Sequence, residues 1–303
     1  MIIAPGWANL VSRWADHPAA VSNIHTNGSI TTATFTAGSR KYFCKAAPTD
    51  HIEAVQALRV EATASTIHRQ ASAPFHGLLE GHDWSVLLFD HIDGEHPHFY
   101  PPESGLALSE RIANLIKAPS GEASTSALPP ITERIDSAPD WSTLVDDHPG
   151  LVASTAKEFL IGGQRERMRR LDGAHVAHTD IHRGNILVNG QELTIVDWGW
   201  AARAAPWFDQ ALLGVQLIAA GASTTRVTHC LHTRHIGHPC SADELAAFAV
   251  EMGRYWIGRL ITDPAERYLW TLIKTAGCLA LSLGVPEFLT LEQEVQPKLG
   301  QLG

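Results

Sequence analysis

Apolar positions at Trp7, Leu10, Val11 and Trp14 fall on one face of a helix over residues 7–15. From Ser22 the period shortens: NIHTNGSITTATFTAGSRKYFCKAAP reads as three short strands. Asn27-Gly28 and Gly38-Ser39 mark the turns, because Asn and Gly accept the positive φ that a type I′ hairpin requires. Ile52, Val55, Leu58, Ala62 and Ile67 then predict one helix over residues 50–70, with Asp50 placed to cap it. Phe75–Leu79 and Ser85–Ile92 flank the turn at 81–83 as a second hairpin. The order β-β-β-α-β-β predicts a five-stranded antiparallel sheet with one main helix.

Past Asp93-Gly94 the texture changes, which puts a domain boundary near residue 93. Helices are predicted over 104–117 and 151–171, with a Pro/Ser/Ala/Gly-rich loop over 118–130 between them. Residues 178–188 and 193–196 are strand-rich around a turn at Asn189-Gly190. From about Phe208 the chain reads as helices broken near Gly221 and at Gly237–Pro239. The expectation is an α+β protein of two lobes, residues 1–93 and a mainly helical 94–303.

A chain of 303 residues, 45% hydrophobic and 18% charged, can bury a sizeable core. Its formal charge of −9 argues against a nucleic-acid partner, which needs clustered cations to neutralise phosphates. Residues 91–303 hold 17 basic against 25 acidic side chains, so −8 of that charge sits in the second part and tips its ligand toward a cation. Cys44, Cys230, Cys240 and Cys278 show no paired spacing, the N-terminus lacks a signal-peptide pattern, and no apolar stretch reaches the roughly 20 residues of a membrane span. A cytoplasmic protein without a membrane role is expected.

The chemistry concentrates in His178-Thr-Asp180-Ile-His182-Arg-Gly-Asn185, followed twelve residues later by Asp197-Trp-Gly199. Phosphoryl transfer needs an oriented acceptor hydroxyl and neutralised phosphate charge more than covalent help. One carboxylate to receive the hydroxyl's hydrogen bond, plus a carboxamide and a second carboxylate as hard oxygen ligands for Mg²⁺, supplies both. This H-x-D-x4-N then D-W-G pattern resembles the small-molecule phosphotransferases of the aminoglycoside phosphotransferase and choline kinase group, which share the protein-kinase fold. Lys45, Glu61 sixteen residues later, the hinge-like VLLFDHIDG, the catalytic loop and the metal aspartate arrive in the family's order over residues 20–215.

The resemblance implies that Asp180 is the catalytic base, that Asn185 and Asp197 hold Mg²⁺, and that Lys45, oriented by Glu61, grips the α/β-phosphates of ATP or GTP. Glu53 is the rival partner for Lys45, although its place near the helix start suits a first-turn charge. Asn27, Gly28 and Ser29 stand where the family positions its nucleotide loop, without an intact G-x-G-x-x-G. Asp90 and Ile92 match the backbone groups that bond adenine, with Phe89 either lining the purine pocket or part of the core. His182 stands where small-molecule kinases often carry His, placed either to reach the γ-phosphate or to make a structural hydrogen bond within the loop, and His178 and Asp209 match residues that brace the loop. Thr179 departs from the family's frequent Gly.

The acceptor is then a small molecule with a hydroxyl, and a cationic antibiotic such as an aminoglycoside suits the acidic second lobe, which would make the activity one of antibiotic resistance. Asp136, Asp140, Asp146, Asp147, Asp263 and Glu266 are unranked candidates to bind it, and Trp141, Trp200, Trp207, Trp256 or Trp270 to line its pocket. A hydroxylated metabolite (choline, homoserine, a sugar or a nucleoside) is the alternative acceptor, and a nucleotide-binding pseudokinase regulator the alternative class. His229, Cys230, His232, His235, His238 and Cys240 crowd twelve residues, but their spacing drifts round a helix, so a surface or cleft edge is favoured over zinc.

Overall fold

The computed structural model of the protein describes residues 6–16, 19–116, 125–148, 152, 156–233 and 238–286. The first elements are α1 (Ala8–Ala15), β1 (Ala20–Asn27), β2 (Ile30–Ala37), β3 (Arg40–Pro48), α2 (Ile52–Ile67), β4 (Phe75–Glu80) and β5 (Trp84–Asp90). There follow α3 (Pro102–Leu115), α4 (Ile131–Ile135), α5 (Trp141–Asp147), α6 (Lys157–Leu171), β6 (His175–Ala177), β7 (Ile186–Asn189), β8 (Glu192–Ile195) and β9 (Ala202–Ala204). The helices α7 (Phe208–Ala219), α8 (Thr224–His232), α9 (Ala242–Thr262) and α10 (Tyr268–Ser282) complete the described chain. No helix among the described residues is long and apolar enough to cross a membrane.

Two compact units result. The first draws on residues 1–97, 119–128 and 183–201, the second on 98–118, 129–182 and 202–303. Residues 183–201 lie well beyond the boundary expected near residue 93, yet they cluster with the first unit. Backbone bonds explain this: Ile195 N–H donates to Ala71 O, and Glu95 and Val188 exchange bonds of 3.0 and 2.9 Å.

Unit 1 is built on the expected antiparallel sheet, in the order β1-β2-β3-β5-β4. The runs YFCKAAP and VLLF are apolar on both faces because β3 and β5 are its central strands, covered on both sides. Side chains alternate between faces. Tyr42, Cys44 and Ala46 of β3 join Val86 and Leu88 of β5 in a core with Trp7 and Val11 of α1. Phe43 and Ala47 join Leu87 and Phe89 in a second core with Ala54, Val55 and Leu58 of α2. Lys45 shares the parity of Phe43 and Ala47, so strand geometry alone sends it toward α2.

Several local expectations are corrected. The α2 N-cap is His51 rather than Asp50, and its side chain makes no capping bond. Ile52 is 78% exposed, outside the buried stripe that Ala54, Leu58, Glu61, Ser65 and His68 form at helical spacing. In the β1–β2 turn only Gly28 has positive φ, as a type II′ turn requires, so the type I′ expectation fails. The described helix near 151–171 is Lys157–Leu171; residues 151 and 153–155 fall outside the described set, as do 117 at the end of the expected helix and 118–124 of the expected loop. The stretch 178–185 is loop and a single 3₁₀ turn rather than strand, and the short elements α4, α5, β6 and β9 carried too few residues for a periodic signal.

Unit 2 is mainly helical. α9 begins with a reciprocal capping box between Ser241 and Glu244. It packs beside α10 and α6. Its middle buries an ion network: Glu251 takes Arg167 Nε at 2.6 Å and Arg254 Nε at 2.9 Å, and Arg254 Nη1 also donates to the carbonyls of Ala138 and Pro139. These donors and acceptors satisfy one another, which is what permits charge at full burial.

Candidate active site

In unit 1, Lys45 Nζ donates to Glu61 Oε1 and Oε2 at 3.0 and 2.8 Å, and to Asp197 Oδ1 at 2.5 Å. Glu53 is exposed in the first turn of α2, so the lysine's partner is Glu61. Lys45 is 7% and Glu61 2% exposed, whereas the Asp197 side chain is 49% exposed. Burial pulls the Lys45 ammonium down, but the charges of Glu61 and Asp197 outweigh it and hold it above the ordinary lysine value. Two carboxylates around one ammonium leave a net negative charge at the open end of the group.

Asp197 projects there from a left-handed backbone, φ 67° and ψ 56°. The next residues form a 3₁₀ turn fixed by Trp198, which is 1% exposed, donates from Nε1 to Ile195 O at 3.0 Å and stacks on His68. Asn185, 7% exposed, is tied to the same turn by Val196 N–H donating to Asn185 O at 2.9 Å. Lys45, Glu61, Asp90, Ile92, Asn185 and Asp197 all line one cavity of about 340 Å³, with Phe43, Phe89, Leu187 and Ile195 as its apolar walls. That combination of apolar walls and a few convergent polar groups is the ordinary form of a ligand pocket.

At the hinge, Asp90 N–H donates to Pro74 O and His91 N–H to Lys41 O. Ile92 N–H makes no backbone hydrogen bond among the described residues. Asn27, Gly28 and Ser29 do not line the cavity; Thr32 of the same hairpin does. Ser29 Oγ instead bonds His51 Nδ1 at 3.1 Å, tying the turn to the start of α2. Ser65, missed by sequence reading, also lines the cavity with a buried Oγ that has no hydrogen-bond partner.

In unit 2, Asp209 at the start of α7 accepts the N–H of His178 at 2.7 Å and of Thr179 at 2.9 Å. Thr179 sits at φ +63°, a conformation that a side chain disfavours and that the two carboxylate bonds hold in place. Asp180 follows, its N–H donating to His178 Nδ1 at 3.3 Å and its neighbour Ile181 O accepting from Gln216. His182 Nε2 lies 4.0 Å from Asp180 Oδ2, both side chains nearly half exposed.

Burial pushes the Asp209 carboxyl up to about 6 despite its two N–H donors. A carboxyl raised on folding contributes stability that is complete below its ordinary pKa and is lost as pH rises through about 6. Between pH 4 and 6 the wild type should therefore lose, relative to Asp209→Asn, up to about 3 kcal/mol. Parallel melting curves of the two proteins over that range check this; parallel slopes would refute it.

The charge of Asp180 is felt by Arg134 of α4, Tyr255 of α9 and Tyr268 of α10. Arg259, one turn beyond Tyr255, lies against both phenols and pairs with Glu266 Oε1. Sequence reading missed Arg134, Tyr255, Arg259 and Tyr268; only the i, i+4 spacing of Tyr255 and Arg259 hinted that they share a helix face.

The other expected acceptor ligands are engaged locally. Asp140 caps α5, where the Thr143 N–H holds its carboxyl below the usual range; Asp136 faces Arg254, Asp146 pairs with Lys157, and Asp263 accepts the Ala265 N–H. Asp147 is exposed and has no ion pair among the described residues. Trp141, Trp207 and Trp256 are buried core, Trp270 is half-buried, and Trp200 is 50% exposed. Among the described residues no three His, Cys, Asp or Glu side chains group to hold a metal. In the histidine-rich stretch, His232 Nδ1 contacts Cys240 O, the Cys240 thiol is buried, and His235 lies outside the described residues.

Over residues 27–229 the sequence matches the phosphotransferase enzyme family. A search of the curated proteins finds no match. Among solved structures, a variant of aminoglycoside phosphotransferase APH(4)-Ia in ternary complex with AMP-PNP and hygromycin B aligns with a TM-score of 0.62 at 13% identity, over 93% of this chain and 100% of that one. LicA in complex with AMP aligns at 0.59 and 12% identity, over 93% and 100%. Spectinomycin phosphotransferase APH(9)-Ia, with ADP and spectinomycin, aligns at 0.54 and 13%, over 88% and 93%. At these identities the three share a fold with this chain.

Proposed function

The chain belongs to the phosphotransferase enzyme family, as a small-molecule kinase, and from that premise we propose that it moves the γ-phosphate of ATP or GTP to a hydroxyl of a small molecule, with Asp180 as base. The observation that carries this reading is the convergence of Lys45, Glu61, Asn185 and Asp197 on one cavity across as many as 152 residues of sequence.

Lys45 neutralises the α- and β-phosphates and Glu61 fixes the direction of its ammonium. The hinge at Asp90 and Ile92 receives the base through backbone groups, and Phe43 and Phe89 supply apolar walls for it. The hard oxygens of Asn185 and Asp197, next to a net negative group, are a donor set that fits Mg²⁺. When bound, that ion neutralises charge on the phosphates. The acceptor oxygen forms its bond to the γ-phosphorus as the bond from that phosphorus to the β–γ bridging oxygen breaks. The nucleoside diphosphate leaves with the electron pair, and the hydroxyl proton passes to Asp180 and then to solvent. His182, close to Asp180, supplies further positive charge toward the transferred group when protonated.

The excess acidic charge of residues 91–303 favours a cationic acceptor of the antibiotic kind as one reading, and a hydroxylated metabolite is the other. Four unpaired thiols suit a reducing compartment such as the cytoplasm. The test is acceptor-dependent release of nucleoside diphosphate over a panel of aminoglycosides, sugars and small alcohols. Asp197→Ala should lower turnover about 10³-fold or more, as expected when electrostatic stabilisation of the transferred group is lost. Undiminished turnover in that variant contradicts the site, and tight nucleotide binding with no turnover for any acceptor replaces the enzyme by a nucleotide-binding regulator.

A further inference from the structure

Asp197 is held in a conformation that its own chain disfavours. At φ 67° and ψ 56° a residue with a side chain lies in the left-handed region, where Cβ crowds the carbonyl that follows. Such a backbone persists only where its surroundings impose it. The bond from Lys45 holds a carboxylate oxygen of Asp197 and leaves the dihedral angles to the rest of the turn. Trp198, the next residue, is where that turn is anchored.

Three contacts within unit 1 fix Trp198. Its N–H donates to the Glu61 carboxylate, its Nε1 donates to Ile195 O at 3.0 Å, and its ring stacks on His68 with centroids 4.8 Å apart and planes 16° from parallel. Two of these partners share one face of α2 and its C-cap: Glu61 and His68 are seven residues, about two helical turns, apart. Helix and turn touch closely along this face, since a Cβ at Gly199 would lie 3.8 Å from both Ala57 O and Glu61 Oε2. His68 is buried, and its backbone is fixed independently of its ring. Its carbonyl accepts the N–H groups of Ala71 and Ser72, each at 2.9 Å, and Ala71 O in turn accepts the N–H of Ile195 at 2.6 Å. The imidazole is thus supported from the strand end that leads into Asp197.

Building on the phosphotransferase reading, we propose that His68 is a positioning residue for that reaction: by stacking on Trp198 it holds the left-handed backbone of Asp197 and keeps the Asp197 carboxylate presented to a divalent cation. An aliphatic side chain could fill the same volume, but only a flat ring lies parallel to the indole and resists its rotation. Without the stack the turn gains other conformations. A cation binds only the fraction that keeps the native one, so its apparent affinity falls with that fraction. The bonds from Lys45 to Glu61 do not involve His68 and remain in place.

The experiment is titration of Mn²⁺ into the protein carrying one equivalent of AMP-PNP, followed by water-proton relaxation, for wild type, His68→Phe and His68→Leu. His68→Leu should weaken Mn²⁺ about two- to tenfold, the worth of one aromatic stack, with the number of Mn²⁺ sites per protein unchanged. His68→Phe restores a flat ring and should come within about twofold of wild type. His68→Ala takes the place of the leucine variant if that one does not fold. A merely structural role gives a different pattern, fewer sites at wild-type affinity, and that result overturns the proposal. So does a Mn²⁺ affinity in His68→Leu equal to wild type, or a loss in His68→Phe as large as in His68→Leu. Failure of the underlying kinase reading registers separately, as a wild-type protein that does not bind AMP-PNP or whose AMP-PNP complex holds no Mn²⁺, and it takes the proposal with it.

Discussion

Asp180→Asn lowers kcat for acceptor phosphorylation by about 10² to 10⁴-fold, the range for loss of a positioned general base. The substitution is chosen for what it keeps. The carboxamide has the size of the carboxylate, and the loop is held from outside the side chain: the Asp180 N–H by His178, the preceding N–H groups by Asp209, and Ile181 O by Gln216. Geometry is therefore retained while the group that takes the hydroxyl proton is lost. Nucleotide binding, which the reading assigns to Lys45 and the unit 1 cavity, should be unchanged, so the loss appears in kcat and not in the dissociation constant of AMP-PNP. Single-turnover quench measurements beside a binding titration make that separation. A kcat close to wild type would remove Asp180 from the role of base.

The second large effect is on stability. Lys45→Met should destabilise the protein by roughly 3–5 kcal/mol, because it strands a buried carboxylate by removing its partner. Glu61 is 2% exposed, with Asp197 beside the same ammonium. Burial and the Asp197 charge both raise the Glu61 carboxyl, and Lys45 is the main cause that opposes them. With Lys45 gone the Glu61 pKa rises further above its unfolded value. Stability from a carboxyl of that kind is greatest at acid pH and falls as pH climbs through the folded value, so the penalty should shrink as pH is lowered through that raised value toward the ordinary carboxylate range. The double variant Lys45→Met/Glu61→Leu should recover much of the lost stability by filling the site with apolar volume, and it should remain inactive. Denaturant melts of the two variants at pH 5 and pH 8 decide the matter. A Lys45→Met protein as stable as wild type at both would show that the pair is not holding the sheet to α2.

Where the sequence was informative, a strong local signal survived packing. Gly28 and Gly38 punctuate the β-hairpins, and strand parity in KYFCKAAP places Lys45 on the face of Phe43 and Ala47, opposite Cys44. The choice of Glu61 over Glu53 was legible for a similar reason: it lies one helical turn beyond Leu58 on the buried stripe of α2, whereas Glu53 opens the helix in solvent. What stayed hidden was short or non-local. Three-residue strands such as His175–Ala177 and Ala202–Ala204 are too brief to show alternation, and they pair across 25 residues or more. The clustering of residues 183–201 with the first unit depends on backbone bonds to Ala71 and Glu95, groups that no pattern of side chains announces. The electrostatic coupling of Asp180 to Arg134, Tyr255 and Tyr268 was missed because nothing in three distant stretches announces it.

The alternation along β3 sets a limit on how the gene can vary. A single inserted or deleted codon within residues 40–48 would exchange Lys45 for a neighbour, moving the ammonium to the side that Cys44 occupies against α1 and leaving Glu61 facing a thiol or a methyl group. Changes of length in this strand are thus tolerated only in pairs, if at all. The rim strand β1, exposed along nearly its whole length and already interrupted by a bulge between Ser22 and His25, carries no such restriction.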